Sequence, residues 1–255
     1  MKTNYWVFDI LPSGNYLSSF NTIKNYNYSV GEDSDAMPLN FILSSKHFEN
    51  KENPNDVYQI GMFIVQLFNG FNNIIYKDGN ETYKVRLGRL YKNGDENREK
   101  INTPNINYLE IDELLNFPDN NESYFEGFLN QAFRPGLIKN ILLHCKDSWN
   151  LTSMYKLSDE ISSFLKEQDD NIMNYVNKNQ FKLFGLTANN FSVSGLEARH
   201  GKSVNKEPKK SMTLDESSEF IRELINKILE KYFGIKLNYI GKTESDFSDL
   251  FTEEF

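Results

Sequence analysis

The chain has 255 residues, and its 36 acidic and 28 basic side chains give a formal net charge of −8. Its single cysteine excludes an internal disulfide and any zinc site built on a Cys-x-x-Cys pair, and its three scattered histidines cannot form a sequence-local metal site. The acidic balance argues against a protein that coats nucleic acid, although net charge does not exclude a local basic site. The 20 phenylalanines, 14 tyrosines and two tryptophans favour a folded core.

Hydropathy along the chain predicts neither a membrane protein nor a secreted one. No segment approaches the roughly 18 consecutive apolar residues of a membrane span. The apolar run near the N-terminus is too short for a signal peptide, and Asp9 interrupts it. Because the only cysteine, Cys145, has no partner for a disulfide, we expect a reducing, cytoplasmic location.

Residues 1–92 predict a mixed α/β part with a small antiparallel sheet and one long helix. Its strands are expected at short aromatic or β-branched runs; these lie at residues 5–8, 40–43 and 82–87. Asn53 precedes Pro54, which is the arrangement of a helix cap followed by a first helical residue. Apolar residues then recur at three-to-four spacing and predict one buried helical face; they are Val57, Ile60, Ile64, Leu67, Phe68 and Phe71.

The polar residues 93–107 contain glycine and proline and predict a linker or a long loop. Beyond them, residues 108–235 predict an α-helical bundle and residues 236–255 an acidic-aromatic C-terminal tail, so the fold class is α+β. Thr213 and Glu216 have the spacing of a capping box at the start of the last helix. The remaining helices of the bundle are expected at residues 112–117, 122–132, 134–143, 150–164 and 169–190.

The most distinctive feature of the helical part is a basic segment, residues 199–210. It holds five bases and one acid, which gives +4 in a chain of net charge −8. Such a loop can hold phosphate or an RNA backbone, with Arg199 and His200 as a candidate catalytic pair. The candidate phosphate- or RNA-binding side chains are Lys202, Lys206, Lys209, Lys210 and Asn189. The alternative interpretation is a solvated loop before the final helix.

Arg199, His200 and Gly201 form a triplet that resembles the motif of the histidine phosphatase superfamily. There the triplet follows the first strand and a second catalytic histidine lies downstream; here no histidine follows His200, so we reject the analogy. The helical part with its Arg-His neighbourhood also resembles HEPN ribonucleases, whose Arg-x(4–6)-His motif implies RNA cleavage across a dimer. In this chain no arginine stands at that distance before a histidine, so the catalytic spacing is not matched.

A wider pattern over residues 150–233 is similar to one that recurs in uncharacterised bacterial proteins. It consists of Asn-Leu at 150–151, Met-Tyr-Lys at 154–156, Thr-Ala-Asn at 187–189, Ala-Arg-His-Gly at 198–201, Pro208 and Met-Thr-Leu at 212–214. This resemblance implies a bacterial or phage origin and brings no activity with it.

His144 and Cys145 are adjacent in an apolar stretch that predicts a helix. Neighbours on a helix point about 100° apart, so these side chains do not face each other as a catalytic pair must. We therefore interpret Cys145 as a buried structural residue. His47 has no evident sequence-local partner. Because the carboxylates lack metal-binding spacing and the common nucleotide-binding motifs are absent, we predict no metal and no cofactor.

The tail ends in residues 243–255, which hold five acids and no base. Acidic-aromatic alternation is typical of a segment that folds against a basic, apolar groove on a partner. Its candidate partner-binding side chains are Phe247, Leu250, Phe251 and Phe255. Two alternatives remain: the phenylalanines pack on the chain's own bundle, or the tail covers the basic segment.

These features lead to two hypotheses about function. In the first, the chain is a cytoplasmic interaction protein of bacterial or phage type, which lacks a catalytic centre and binds a protein partner through its tail. In the second, it is an RNA- or phosphate-directed enzyme of the defence or toxin type, HEPN-like, that uses Arg199 and His200.

Overall fold

The computed structural model describes most of the chain, namely residues 5–11, 25–33, 40–76, 84–92, 110–118, 121–147, 149–190 and 210–239. These residues form two compact units. The sheet unit comprises the described residues up to 69 and those from 84 to 135. The helical unit comprises residues 70–76 and the described residues from 136 to 239. The predicted boundary at residues 93–107 lies outside the described part of the chain.

Four antiparallel strands form the sheet, in the order β2-β3-β1-β4. Their bounds are Trp6–Leu11 for β1, Ser29–Asp33 for β2, Asn40–Ser44 for β3 and Arg86–Lys92 for β4. Phe8 of β1 pairs with Leu43 of β3 and with Leu90 of β4, and all three side chains are buried. The small antiparallel sheet predicted for the N-terminal part is therefore confirmed.

The predicted long helix is also confirmed: α1 runs over Pro54–Ile75. It begins where expected because the Oδ1 atom of Asn53 accepts the backbone N–H of Asn55 at 3.0 Å. The whole predicted apolar face is buried. Gly61 permits close packing on the sheet, since a Cβ there would lie only 2.6 Å from the ring of Phe8.

Of the strand predicted at residues 82–87, positions 82 and 83 lie outside the described residues, and β4 begins at Arg86. The side chain of Asn69 explains the difference. Its Oδ1 accepts the N–H of Val85 at 2.7 Å, and its Nδ2 donates to the carbonyl of Val85 at 2.9 Å. Both backbone groups of Val85 are thus bonded to a side chain, and pairing with a strand starts one residue later.

Short helical pieces complete the sheet unit. They are α2 at Ile111–Leu114, α3 at Phe128–Gln131 and two 3₁₀ turns at Lys46–Phe48 and Glu122–Phe125. The helix predicted over residues 122–132 is therefore wrong as a single element. Gly127 interrupts it with a φ of 83°, a backbone conformation that favours glycine.

The helical unit contains four longer helices, which are α4 at Leu137–His144, α5 at Leu151–Glu167, α6 at Lys178–Asn189 and α7 at Leu214–Phe233. Helix α5 packs against each of the others. Its start is fixed by a capping box between Asn150 and Ser153. Helix α7 has the predicted capping box between Thr213 and Glu216 and ends at Gly234, whose φ is 68°. The helical C-terminal part is thereby confirmed.

The single helix predicted over residues 169–190 is wrong. Helix α5 ends in a Schellman motif, in which Asp169 has a φ of 54° and the N–H of Asp170 donates to the carbonyl of Leu165 at 2.8 Å. A 3₁₀ turn at Ile172–Asn174 follows. Helix α6 then has its own cap, Asn177, which accepts two backbone N–H groups.

Candidate functional site

The predicted catalytic pair, Arg199 and His200, lies outside the described residues, as do Lys202, Lys206 and Lys209. Lys210 is described and exposed. Asn189 ends helix α6, where its Nδ2 donates to the carbonyl of Gly185 at 2.9 Å. Its Oδ1 is buried without a hydrogen-bond partner within the described part of the chain. One buried acceptor atom therefore lies at the last residue of α6.

The described residues on the two sides of the basic segment are joined to each other. The N–H of Met212 donates to Oγ1 of Thr187 at 2.9 Å, and that hydroxyl donates to the carbonyl of Leu183. Thr187 is fully buried. The end of α6 and the residues that precede α7 are therefore held together at one place.

The partner-binding candidates Phe247, Leu250, Phe251 and Phe255 also lie outside the described residues. The residues at the start of the predicted tail pack along helix α7. The N–H of Leu237 donates to Oδ1 of Asn226 at 2.9 Å, and the hydroxyl of Tyr239 donates to the carbonyl of Arg222 at 2.6 Å. The first residues of the predicted tail are therefore fixed on the helical unit.

Arg222 is the charged centre of the helical unit, and no sequence motif predicts it. Its side chain is buried and reaches the C-terminal end of helix α1. There Nε donates to the carbonyl of Ile74, and Nη2 donates to those of Asn73 and Tyr76, each at 3.1 Å. These carbonyls belong to the last turn of α1 and the residue after it. Carbonyl groups there have no N–H donor within the helix, and the negative end of the helix dipole favours a positive charge.

Two further contacts fix the guanidinium of Arg222. Its Nη1 donates to Oγ of Ser218 at 3.2 Å, and its Cζ lies 4.6 Å from the centre of the Trp149 ring. Burial lowers the pKa of Arg222, while Tyr239 and the carboxylate of Glu219, among other groups, act in the opposite direction. Four of the five N–H donors are used within the fold. Arg222 therefore has a structural role, because its guanidinium binds the carbonyls at the C-terminal end of α1.

Cys145 follows helix α4 and is buried, as predicted. Burial raises the pKa of its thiol well above the usual range, an effect that the charge of Arg222 opposes. Because the thiolate is the nucleophilic form, burial disfavours reaction of this cysteine in the folded protein. His144 is half-buried, and burial lowers the pKa of its ring.

We expect iodoacetamide to leave Cys145 unmodified in the native protein and to alkylate it fully in urea. The reason is that both access and deprotonation require opening of the core around helix α4. Mass spectrometry of intact protein at pH 8 measures the modified fraction. Stoichiometric alkylation without denaturant would contradict a buried structural cysteine.

His47 lies in the sheet unit and has partners that its sequence neighbourhood does not show. The imidazole is fully buried, and its ring stacks on Phe133 with a centroid distance of 5.5 Å. Its Nε2 lies 3.1 Å from Oδ1 of Asn27, and its Nδ1 lies 3.1 Å from the backbone nitrogen of Asn116. These partners are 20 and 69 residues away along the chain.

The hydrogen bonds of Asn27 determine which ring nitrogen of His47 carries the proton. The amide nitrogen of Asn27 donates to the carbonyl of Tyr124 at 2.6 Å and to Oδ1 of Asn130 at 2.9 Å. Its Oδ1 is therefore the atom that accepts a proton from Nε2 of His47. In a neutral ring Nδ1 then accepts the N–H of Asn116, so the neutral form is fully bonded.

Acid is expected to destabilise the fold through His47. Burial lowers its pKa from 6.5 to about 4, so between these values the unfolded chain binds a proton that the folded chain does not. Stability therefore falls as the pH drops through this window, by about 3 kcal/mol in total. Urea unfolding at pH 7 and pH 4, for wild type and His47→Gln, measures this contribution. If the two proteins lost equal stability between these pH values, His47 would not be the responsible group.

A carboxylate cluster links the end of helix α5 to helix α7. Asp170 accepts hydrogen bonds from the hydroxyls of Tyr175 and Tyr232, the latter at 2.6 Å. It also accepts the backbone N–H of Asn171 and the side-chain amide of Asn174. These bonds, led by that from Tyr175, lower the pKa of Asp170 below its usual range. With every acceptor direction used, the cluster serves to hold the turn against α7.

Within the described ranges, His, Cys, Asp and Glu side chains form no group of three that could hold a metal ion. None of the helices in those ranges has the length and apolar character needed to cross a membrane. No family model, no curated protein and no solved structure matches the chain.

Proposed function

We propose that this chain is a cytoplasmic interaction protein of bacterial or phage type, which binds a protein partner through residues 243–255 and has no catalytic centre of its own. The observation that carries the proposal is the structural use of the reactive side chains in the described part of the chain. His47 is bonded as a neutral ring, Cys145 is buried in the core, and Arg222 clamps a helix end. The strongly charged terminal segment is then a natural place for binding.

The tail hypothesis is tested by exchanging its aromatic side chains. The variant Phe247→Ser with Phe251→Ser keeps the five acids and removes two apolar anchors, which supply most of the binding energy in such segments. We expect at least a tenfold loss of the captured partner in affinity purification from a bacterial lysate, quantified by mass spectrometry. The matched control, Ser245→Ala with Thr252→Ala, changes the same segment without touching the anchors. Equal capture by all three proteins would refute the proposal.

The second candidate is an RNA- or phosphate-directed enzyme of the defence or toxin type, HEPN-like, with Arg199 and His200 as its catalytic pair. The joined flanks of the basic segment favour it, because the bond between Thr187 and Met212 holds the two ends of the loop at one place. A fixed loop base reduces the conformational cost of binding an anion there.

RNA cleavage by wild type, His200→Ala and His144→Gln separates the two candidates. The enzyme predicts cleavage that His200→Ala abolishes and that His144→Gln retains. Absence of cleavage in all three proteins, or equal cleavage by wild type and His200→Ala, would refute the enzymatic candidate.

A further inference from the structure

Asn69 and Gly70 form an asparagine-glycine pair inside helix α1, and the chain has a second such pair at Asn93 and Gly94. In an unfolded chain this dipeptide is especially prone to deamidation, because glycine has no side chain to hinder attack by its backbone nitrogen on the preceding amide. Asn69 is nevertheless buried in the folded protein. Two separate structural requirements explain why the pair is found there.

The first requirement fixes an amide at position 69. Its Oδ1 accepts the N–H of Val85 at 2.7 Å, and its Nδ2 donates to the carbonyl of Val85 at 2.9 Å. Val85 is buried as well. The site therefore needs a donor and an acceptor on one short side chain, and an ionised aspartate offers only acceptors.

The second requirement fixes glycine at position 70. A Cβ there would lie 2.7 Å from the carbonyl carbon of Leu142 and closer still to its oxygen. Any other residue would therefore meet the backbone of α4. The fold demands both members of the labile pair, each for its own reason.

The folded chain protects the pair from deamidation. Inside an α-helix the N–H of Gly70 donates to the carbonyl four residues earlier, so its nitrogen is not free to attack. The two hydrogen bonds to Val85 also hold the Asn69 amide in place. Reaction requires the middle of α1 to open, and a buried helix opens only with a large part of the fold.

We propose that Asn69 is a modification site that reacts with water only in the unfolded chain and makes unfolding irreversible. The backbone nitrogen of Gly70 attacks Cγ of Asn69, ammonia leaves with the proton of that nitrogen, and a cyclic imide remains. Water opens the imide to aspartate or to isoaspartate, so the net change is hydrolysis of one amide.

Both products oppose refolding. Aspartate at position 69 directs a negative charge at the buried carbonyl of Val85, where the amide had a donor. Isoaspartate inserts a methylene group into the backbone of α1 and interrupts the helical hydrogen bonds. A chain that stays unfolded long enough to react is therefore removed from the folding equilibrium.

Ageing of the wild-type chain at pH 8, with and without guanidinium chloride, tests the proposal. Peptide mapping by mass spectrometry quantifies the conversion of Asn69, which is expected to be at least tenfold faster in denaturant. After dilution, size-exclusion chromatography separates refolded chains from the rest. Modified residue 69 should be at least fivefold enriched among the chains that do not refold, and Asn93 is quantified in the same digest.

The variant Asn69→Asp reproduces one product directly. We expect its urea midpoint at pH 7 to lie below that of wild type. At pH 4 the deficit should be smaller, because a protonated acid can donate to the carbonyl of Val85 as the amide does. The matched control, Asn179→Asp, makes the same change at an exposed position of α6 and should not lower the midpoint. If Asn69→Asp does not fold while the control does, the result agrees with the proposal, and the ageing experiment remains an independent test.

Four results would overturn the inference. They are equal conversion of Asn69 in the folded and unfolded chains, full refolding of chains modified at residue 69, a loss of refolding that follows residue 93 instead, and equal midpoints of Asn69→Asp and Asn179→Asp. None of these measurements involves the tail, so the inference and the proposed function can fail separately.

Discussion

Replacing Gly70 with alanine is expected to lower the free energy of unfolding by about 3–4 kcal/mol. Gly70 lies in helix α1, where α4 passes so closely that a Cβ would lie 2.7 Å from the carbonyl carbon of Leu142 and closer still to its oxygen. Backbone atoms of a packed helix cannot move aside as a flexible side chain can. The gain in helix propensity, about 1 kcal/mol, is too small to offset this clash.

Gly185→Ala is the matched control for this prediction. Gly185 also lies inside a helix, α6, but a Cβ there would meet only the ring of Tyr155, at an ordinary 3.8 Å. This variant is therefore expected to gain about 0.5–1 kcal/mol from helix propensity. Urea unfolding of both variants measures the effects. If Gly70→Ala and Gly185→Ala changed the free energy of unfolding equally, this would contradict the close packing of α1 and α4.

Arg222→Met is the second variant with a large expected effect, a loss of about 3 kcal/mol in the free energy of unfolding. Methionine fills part of the volume but leaves the carbonyls of Asn73, Ile74 and Tyr76 without their donor. Arg222→Lys keeps the charge but not the planar fork, so it should recover only part of the loss.

The control for Arg222 is Lys231→Met on the same helix. Lys231 is exposed, and its substitution is expected to change stability by less than about 0.5 kcal/mol. Thermal unfolding by circular dichroism compares the three variants with wild type. A wild-type melting temperature for Arg222→Met would show that the last turn of α1 does not depend on the guanidinium.

The starts of α1 and α7 were predictable, because their signals are local. The caps at Asn53 and Thr213 lie where the sequence places them. The wrong helix and strand bounds arise from hydrogen bonds between residues distant in sequence, or from backbone conformations with a positive φ. Asn69 binds the backbone of Val85, which lies 16 residues later in the chain. The strand therefore begins later than the alternating sequence pattern predicts.

The hydrogen bonds of Arg222 and His47 could not be predicted either, because their partners are distant in the sequence. Arg222 bonds to residues nearly 150 positions earlier, with a separation of 148 to Ile74, and no spacing rule connects such groups. His47 likewise depends on Asn27 and Asn116, which chain topology brings together.

Truncation shows directly whether residues 243–255 bind the partner. Affinity purification from a bacterial lysate compares the full-length chain with the chain ending at Lys242, after thermal unfolding has shown that both fold equally well. We expect the truncated chain to lose the partner that the full-length chain captures. Equal capture of the same partner by both chains would contradict it.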